Sequence, residues 1–272
     1  LLACKNKEFK SHLVQTKIFY KLAIEKRKMN QNAAQQVFAM YGSLFDHYLA
    51  QGFYRMRQNI FTTDDYLDTD TLCMFDVFWL RTKIQELPEP KTHKIWKLNK
   101  HFTVSIGPAK YTNELNQLYE HYRNHMTFDA HESIEHFLIG EEKYCDFNSG
   151  IIEVRDNQKL IAAGYFDLGL NSIAGNLNFY DPNYKKYSLG KYLMLLKIAY
   201  AQSRNCTYYY TGYLAAGNTK FDYKLFPDPQ AVEVLIKQEN YTWFPFTSIQ
   251  KSGLSPYTIW LSHTEHPRNN TI

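Results

Sequence analysis

Three clusters of residues in this 272-residue chain have the types and spacing to do chemistry. The first runs from Asp181-Pro182 to Gly190. Asp-Pro closes a β-rich run, where proline cannot continue a ladder. Ser188-Leu189-Gly190 then opens an amphipathic run. A helix start offers free N–H groups and the positive end of a dipole, so an anion or a developing oxyanion can sit there. Gly190 admits a close backbone approach. The ordinary alternative is a capped helix after a strand. The second cluster is Lys220-Phe221-Asp222-Tyr223-Lys224, after the run Tyr208–Tyr213. Two lysines and a tyrosine on a loop can grip a phosphate or an acidic side chain; a solvated loop is the alternative. If the strands before the two clusters are adjacent and parallel, both clusters share one sheet end, where α/β folds bind ligands. The third is Tyr54-Arg55-Met56-Arg57. Arg55 and Arg57 lie on one side if extended, and paired guanidiniums suit phosphates; ordinary surface arginines are the alternative. His125, in Tyr122-Arg123-Asn124-His125, reads as a helix-end residue or as a catalyst.

These clusters need elements to position them. Apolar residues spaced three and four apart over 33–51 predict a helix, which Gly52 ends. Residues 53–61 read as extended, 62–71 as a polar connection and 72–84 as a strand rich in β-formers. Leu87-Pro88-Glu89-Pro90 is the best linker. Lys91, Lys94, Lys97 and Lys100 share one face if that stretch is helical, and a solvated face is its ordinary reading. A strand over 102–106 stops at Gly107-Pro108. Helices follow over 112–126, capped by Thr112, and over 133–139. The runs 151–154, 160–168 and 173–180 predict an antiparallel meander. Ser188 is a good N-cap for the next helix. A strand over 208–213 follows, 232–236 and 243–246 read as short elements of no assigned type, and the tail from Leu261 reads as frayed.

The fold class is therefore α+β (mixed α/β), and the element order from about Lys100 is that of a GNAT-like acyltransferase domain, by analogy. Residues 1–28 read as a basic extension, 29–90 as a smaller α+β N-terminal domain, and 91–272 as the acyltransferase-like C-terminal domain. Clear patterning begins only after Met29, which makes that residue an alternative start. Composition is globular, with 44% hydrophobic and 21% charged residues, which argues against disorder. The 22 tyrosines exceed what a core usually needs and suit a half-wet pocket or a stacking surface. A net charge of +4 permits a nucleic-acid partner without demanding one. Cys4, Cys73, Cys145 and Cys206 are dispersed, without metal-site spacing, as in a cytosolic protein. No apolar run is long enough to span a membrane.

Taken together, the clusters resemble the aminoacyl-tRNA–protein transferases, in particular the arginyl-tRNA–protein transferase family and its bacterial leucyl relatives. The carrying residues are Phe179-Tyr180-Asp181-Pro182, Ser188-Leu189-Gly190, Tyr210-Thr211-Gly212-Tyr213 and Lys220-Phe221-Asp222-Tyr223-Lys224. Gly52-Phe53-Tyr54-Arg55-Met56-Arg57, Thr92-His93-Lys94 with Asn99, and Tyr122 with His125 echo further family segments more loosely. The family's N-terminal Cys-x-x-Cys is absent, so no metal is expected. The resemblance implies transfer of arginine or leucine from charged tRNA to a protein N-terminus in an N-degron pathway, in the cytoplasm. Aminoacyl-tRNA would be the co-substrate, and no cofactor is expected. The acceptor would be a protein or peptide N-terminus that begins with an acidic residue. Tyr180 and Asp181 would orient the amine or the terminal adenosine, and Ser188 and Gly190 would stabilise charge. Lys220, Lys224, Arg55 and Arg57 would bind tRNA phosphates or an acidic peptide. His125, Leu189, Tyr192, Tyr210, Gly212, Tyr213 and Tyr223 complete the expected binding set. Two alternatives remain: a CoA-dependent N-acyltransferase of the same fold, and a non-catalytic binder of tRNA or N-termini.

Overall fold

The computed structural model describes residues 34–68, 71–126, 131–141, 145–237 and 241–249, with side chains from residue 42 onward. The expected basic extension and the tail from Leu261 lie outside the described residues. The chain divides into two compact units, residues 1–40 and 41–272. The expected boundary between 90 and 91 falls inside the second. In the first, residues 34–40 belong to helix α1, Ala34–Ala50. Gly52, at φ +73°, ends that helix, and the N–H groups of Gln51 and Phe53 both reach the Tyr48 carbonyl. This is a left-handed glycine cap.

A hairpin follows, β1 (Tyr54–Met56) and β2 (Asn59–Phe61), turned through Arg57 at φ 58°. Next come β3 (Asp65–Leu67), β4 (Met74–Lys83), helix α2 (Lys94–Asn99) and β5 (Thr103–Pro108). Helices α3 (Asn113–Arg123) and α4 (Ile134–Leu138) start on Thr112 and Ser133, whose hydroxyls accept from the N–H groups of Leu115 and His136. The Thr112 cap was expected from sequence. The meander is β6 (Ser149–Asp156), β7 (Lys159–Leu168) and β8 (Ser172–Tyr180), again as expected. Helix α5 (Leu189–Ser203) leads to β9 (Tyr208–Ala215), and β10 (Val232–Ile236) and β11 (Thr242–Pro245) finish the sheet.

Nine strands form the sheet in the order β11-β10-β4-β9-β8-β7-β6-β5, with β3 paired to β4. Strand β4 therefore lies between β9 and β10, although it precedes the Leu87–Pro90 stretch, and Leu87 and Pro90 are themselves buried. The expected stop at Gly107-Pro108 is not observed. Both residues continue β5 opposite Ile151 and Gly150, on an edge strand where a missing N–H is tolerated.

Side chains alternate between the two faces of the sheet. Ile151, Tyr165 and Phe179 pack with Leu115, Tyr119 and Ile134 of α3 and α4. Ile152, Phe166 and Ile173 pack instead with Leu193 of α5 and Ile95 of α2. Nearer β4, Trp79 and Tyr210 meet Phe45 and Leu49 of α1, while Phe78 meets Phe246 and Ile249. This period of two is what each buried strand dictates.

Candidate functional site

Every strand pairing in the large sheet is antiparallel except β8 with β9, which is parallel as the sequence suggested. That pairing lasts only from Ser172↔Tyr208 to Ala174↔Tyr210. Beyond it β8 stays with β7, β9 stays with β4, and a cleft opens between their C-terminal halves. Each strand carries a bulge there. Asn176 is the extra residue in β8 and Thr211 the extra residue in β9. A bulge bends its strand and increases local twist, so two of them drive the strands apart.

The base of the cleft is held by a tyrosine from β1. The Tyr54 hydroxyl donates to the Gly175 carbonyl at 2.6 Å and lies 2.9 Å from that of Tyr210. It thus bridges the carbonyls that the parting strands leave unpaired. Burial raises its pKa well above the ordinary value, which keeps it a donor. The next residue fixes this strand in place. Arg55 donates to Asp167 at 2.6 Å, to Ser149 at 2.7 Å, to the Arg57 carbonyl at 2.7 Å and to the Leu138 carbonyl at 2.5 Å, with Cys145 Sγ at 3.2 Å. The Asp167 carboxylate also accepts from Asn176 at the bulge, at 2.7 Å. The expected phosphate contact of Arg55 is therefore corrected: its guanidinium is buried and engaged on all its nitrogens. Arg57 turns away in the hairpin, is exposed, and contacts His136 at 2.8 Å. The two arginines do not share a side.

The β8 wall ends in Tyr180 and Asp181. The Tyr180 ring lies 5.2 Å from that of Tyr122 on α3. A Cβ built on Gly190 would stand 3.5 Å from the Tyr180 ring, so the start of α5 closes against the same tyrosine. Asp181 is buried and holds the turn Pro182–Tyr187 by accepting from the Asn183 N–H at 3.0 Å. It pairs with Lys159 at 2.7 Å and lies 3.4 Å from His121 Nε2. Burial would raise its pKa, but the hydrogen bonds from Lys159 and Asn183 carry it below the usual value. Ser188 departs from expectation. It sits in the left-handed region at φ 52°, its hydroxyl makes no cap bond, and it is exposed; only its carbonyl serves α5, accepting from Tyr192 N–H.

The β9 wall carries the basic loop. Lys224 donates to the Tyr213 carbonyl at 3.0 Å, with its Nζ 4.6 Å from the Tyr213 ring centre and 4.8 Å from that of Phe221. Burial lowers its pKa to about 7. Gly212, at φ +98°, leaves this amine its space, since a Cβ there would lie 3.0 Å from Nζ. Tyr223 is half exposed and lies near enough to raise the pKa of Tyr122, Tyr54, Tyr209 and Tyr213. The loop therefore faces the cleft. Lys220 is exposed on the same turn.

The structure thus groups Tyr180, Asp181 and Gly190 at the end of β8, and Gly212, Tyr213 and Lys224 with Tyr223 on the β9 side. Other expected site residues lie elsewhere. Leu189 and Tyr192 are core residues, the latter edge-on to Trp96 at 5.6 Å. The Tyr210 side chain is buried against Trp243, and only its carbonyl meets the cleft. His125 is exposed at the end of α3, its ring 4.6 Å from that of His121. Sequence reasoning missed Tyr54 as a bridge, His121 and Lys159 beside Asp181, and Asp167 with Asn176. A lone aspartate in the apolar run Leu160–Leu168 was the available signal, because a buried carboxylate requires a partner.

Comparison with known proteins follows this geometry. Residues 114–233 match the family model "Arginine-tRNA-protein transferase, C terminus". A protein of Hahella chejuensis named aspartate/glutamate leucyltransferase is 29% identical over 163 residues, 58% of this chain and 64% of that protein. Its namesake in Shewanella amazonensis is 31% identical over 144 residues, covering 50% of this chain and 58% of the relative. One in Acinetobacter baumannii is 28% identical over 138 residues, or 48% and 49%. The chain thus spans about half to two-thirds of the length of these relatives. Among solved structures, a C-terminal domain (DUF2156) from Agrobacterium fabrum is similar over 54% of this chain and 51% of its own, with a TM-score of 0.41 and 11% identity.

Proposed function

We propose, from the match of residues 114–233 to the arginine-tRNA-protein transferase C-terminal family, that this chain moves leucine or arginine from a charged tRNA to the α-amine of a protein N-terminus. The observation that carries the reading is the cleft between β8 and β9, which lies within the family segment and meets Lys224 at its mouth. The wider reading is a GNAT-like acyltransferase acting in the cytoplasm within an N-degron pathway. Its support is the parallel β8–β9 pair joined through α5. The named relatives favour leucine as the amino acid and an N-terminal aspartate or glutamate as acceptor.

The reaction is aminolysis of an ester. The amine must be neutral and held against the carbonyl, and the developing oxyanion needs donors. An α-ammonium has a pKa near 8. The ammonium first loses one proton to water, and the neutral amine attacks the carbonyl carbon. As the C–N bond forms, the nitrogen becomes positively charged and passes its second proton to Lys224, whose pKa is lowered to about 7. Lys224 delivers that proton to the ribose oxygen as its bond to the carbonyl carbon breaks. The first N–H groups of α5, at Leu189 and Gly190, stabilise the oxyanion. Tyr180 and Tyr122 form a platform on which the terminal adenine stacks. Asp181 acts through its bonds, fixing Tyr180 and the turn.

The test is incubation with labelled leucyl-tRNA or arginyl-tRNA and a peptide beginning with aspartate. Label is expected on the peptide N-terminus. No transfer from either tRNA, together with tight acetyl-CoA binding by calorimetry, would overturn the reading in favour of a CoA-dependent acyltransferase.

A further inference from the structure

Outside the cleft, a group of exposed lysines lies where α2, the turn Pro182–Tyr187 and the start of α5 meet. Lys94, Lys97 and Lys100 project from α2 and its end, Lys185 and Lys186 from the turn, and Lys191 from α5, and all six are exposed. Packing makes them one surface. Asn99 of α2 donates to the Tyr187 carbonyl at 2.9 Å, and Trp96 meets Tyr192 of α5. His93 lies 5.1 Å from the Phe226 ring, over which Lys191 also sits at 5.4 Å. Burial, then Lys94 and Lys191 together, lower the His93 pKa, so both ammoniums are felt at one point. Among the described residues none of the six forms an ion pair with a carboxylate, whereas neighbouring Lys91 pairs with Glu89. The whole chain carries a net charge of only +4, so six unpaired lysines on one surface are a concentration of charge.

We infer that this surface binds the phosphate backbone of a structured RNA whose end enters the cleft, which under the function proposed above is the aminoacyl-tRNA. The path is continuous, since the turn carrying Lys185 and Lys186 begins at Asp181, where β8 ends at the cleft. Lysine gives point charges suited to phosphates without base readout. A bilayer fits less well. The apolar side of α2, Ile95 with Trp96, is turned into the core, and Leu98 is its one large exposed hydrophobic. A membrane-surface helix would present that apolar side outward.

The experiment measures binding of deacylated tRNA by fluorescence anisotropy at several salt concentrations, for the wild type and for Lys97→Ala/Lys185→Ala/Lys191→Ala. These three residues come from the three elements and lie outside the cleft. The wild type should bind with a steep salt dependence. The triple variant should bind about tenfold or more weakly near physiological salt, with a log–log slope reduced by about 2 to 3. In the transfer assay its KM for charged tRNA should rise while kcat stays the same. A triple variant with wild-type affinity and slope overturns the inference. So does wild-type binding to phosphatidylserine vesicles without binding to tRNA. If the wild type binds tRNA through these lysines but transfers no amino acid, the catalytic reading fails and this surface stands. If transfer occurs with the variant's KM unchanged, the surface fails and the catalytic reading stands.

Discussion

Lys224 and Arg55 show how one charge type takes opposite roles. Arg55 has its counterion, Asp167, and partners for its remaining nitrogens. Removing one partner of a buried pair leaves an uncompensated charge, at a cost of about 3–5 kcal/mol. Asp167→Asn is expected to lose about that much in urea unfolding, and to loosen β1 and Tyr54 with it. Lys224 has a carbonyl and two aromatic rings beside it and forms no ion pair among the described residues, and burial brings its pKa to about 7. Transfer activity should rise with pH through an apparent pKa near 7. Lys224→Met is expected to lower kcat about 10²–10⁴-fold and to remove that limb of the profile. A profile unchanged by the substitution would show that another group accepts the proton. Neither role was legible in sequence. Arg55 meets a partner in β7, and no local pattern announces a contact so far along the chain.

At the scale of elements, what the chain decides locally was legible. The cap at Thr112, the glycine stop at Gly52 and the three-strand meander all follow from a few neighbouring residues. Ser188 is the instructive exception. Its type favours a cap, but the tight turn from Asp181 forces it to φ 52°, where its hydroxyl cannot reach the helix. A non-glycine residue in that region is strained by roughly 1–2 kcal/mol. Ser188→Gly is therefore expected to raise stability by about 0.5–1 kcal/mol, against the usual loss on removing a serine cap. Thermal unfolding distinguishes the two. The strands β8 and β9 were each legible, but their early parting was not, because a bulge shows only against its partner.

At the scale of the whole molecule, the buried lysine of α5 sets a pH dependence. Lys197 is fully buried and donates to the Tyr165 carbonyl at 2.7 Å and to Asn178 at 2.8 Å. Burial lowers its pKa to about 7 from 10.5. Between those values the unfolded chain binds the proton that the folded chain refuses, so stability rises with pH across the window. Lys224 carries the same shift, so urea unfolding at pH 7.5 and 9.5 should differ by about 4 kcal/mol, and Lys197→Met should remove about half of that slope. A second global property follows from β4. It is made early, yet its sheet partners are β9 and β10, which come late in the sequence. As the chain leaves the ribosome, the β5–β8 meander has all its partners near at hand, while β4 has only the short β3, which leaves the part with Phe78 and Leu80 unpaired. The reactive cleft cannot exist until β9 arrives beside β8. A nascent chain is therefore without the cleft until β9 has been made, and in that interval its exposed apolar strand is a natural client for a chaperone.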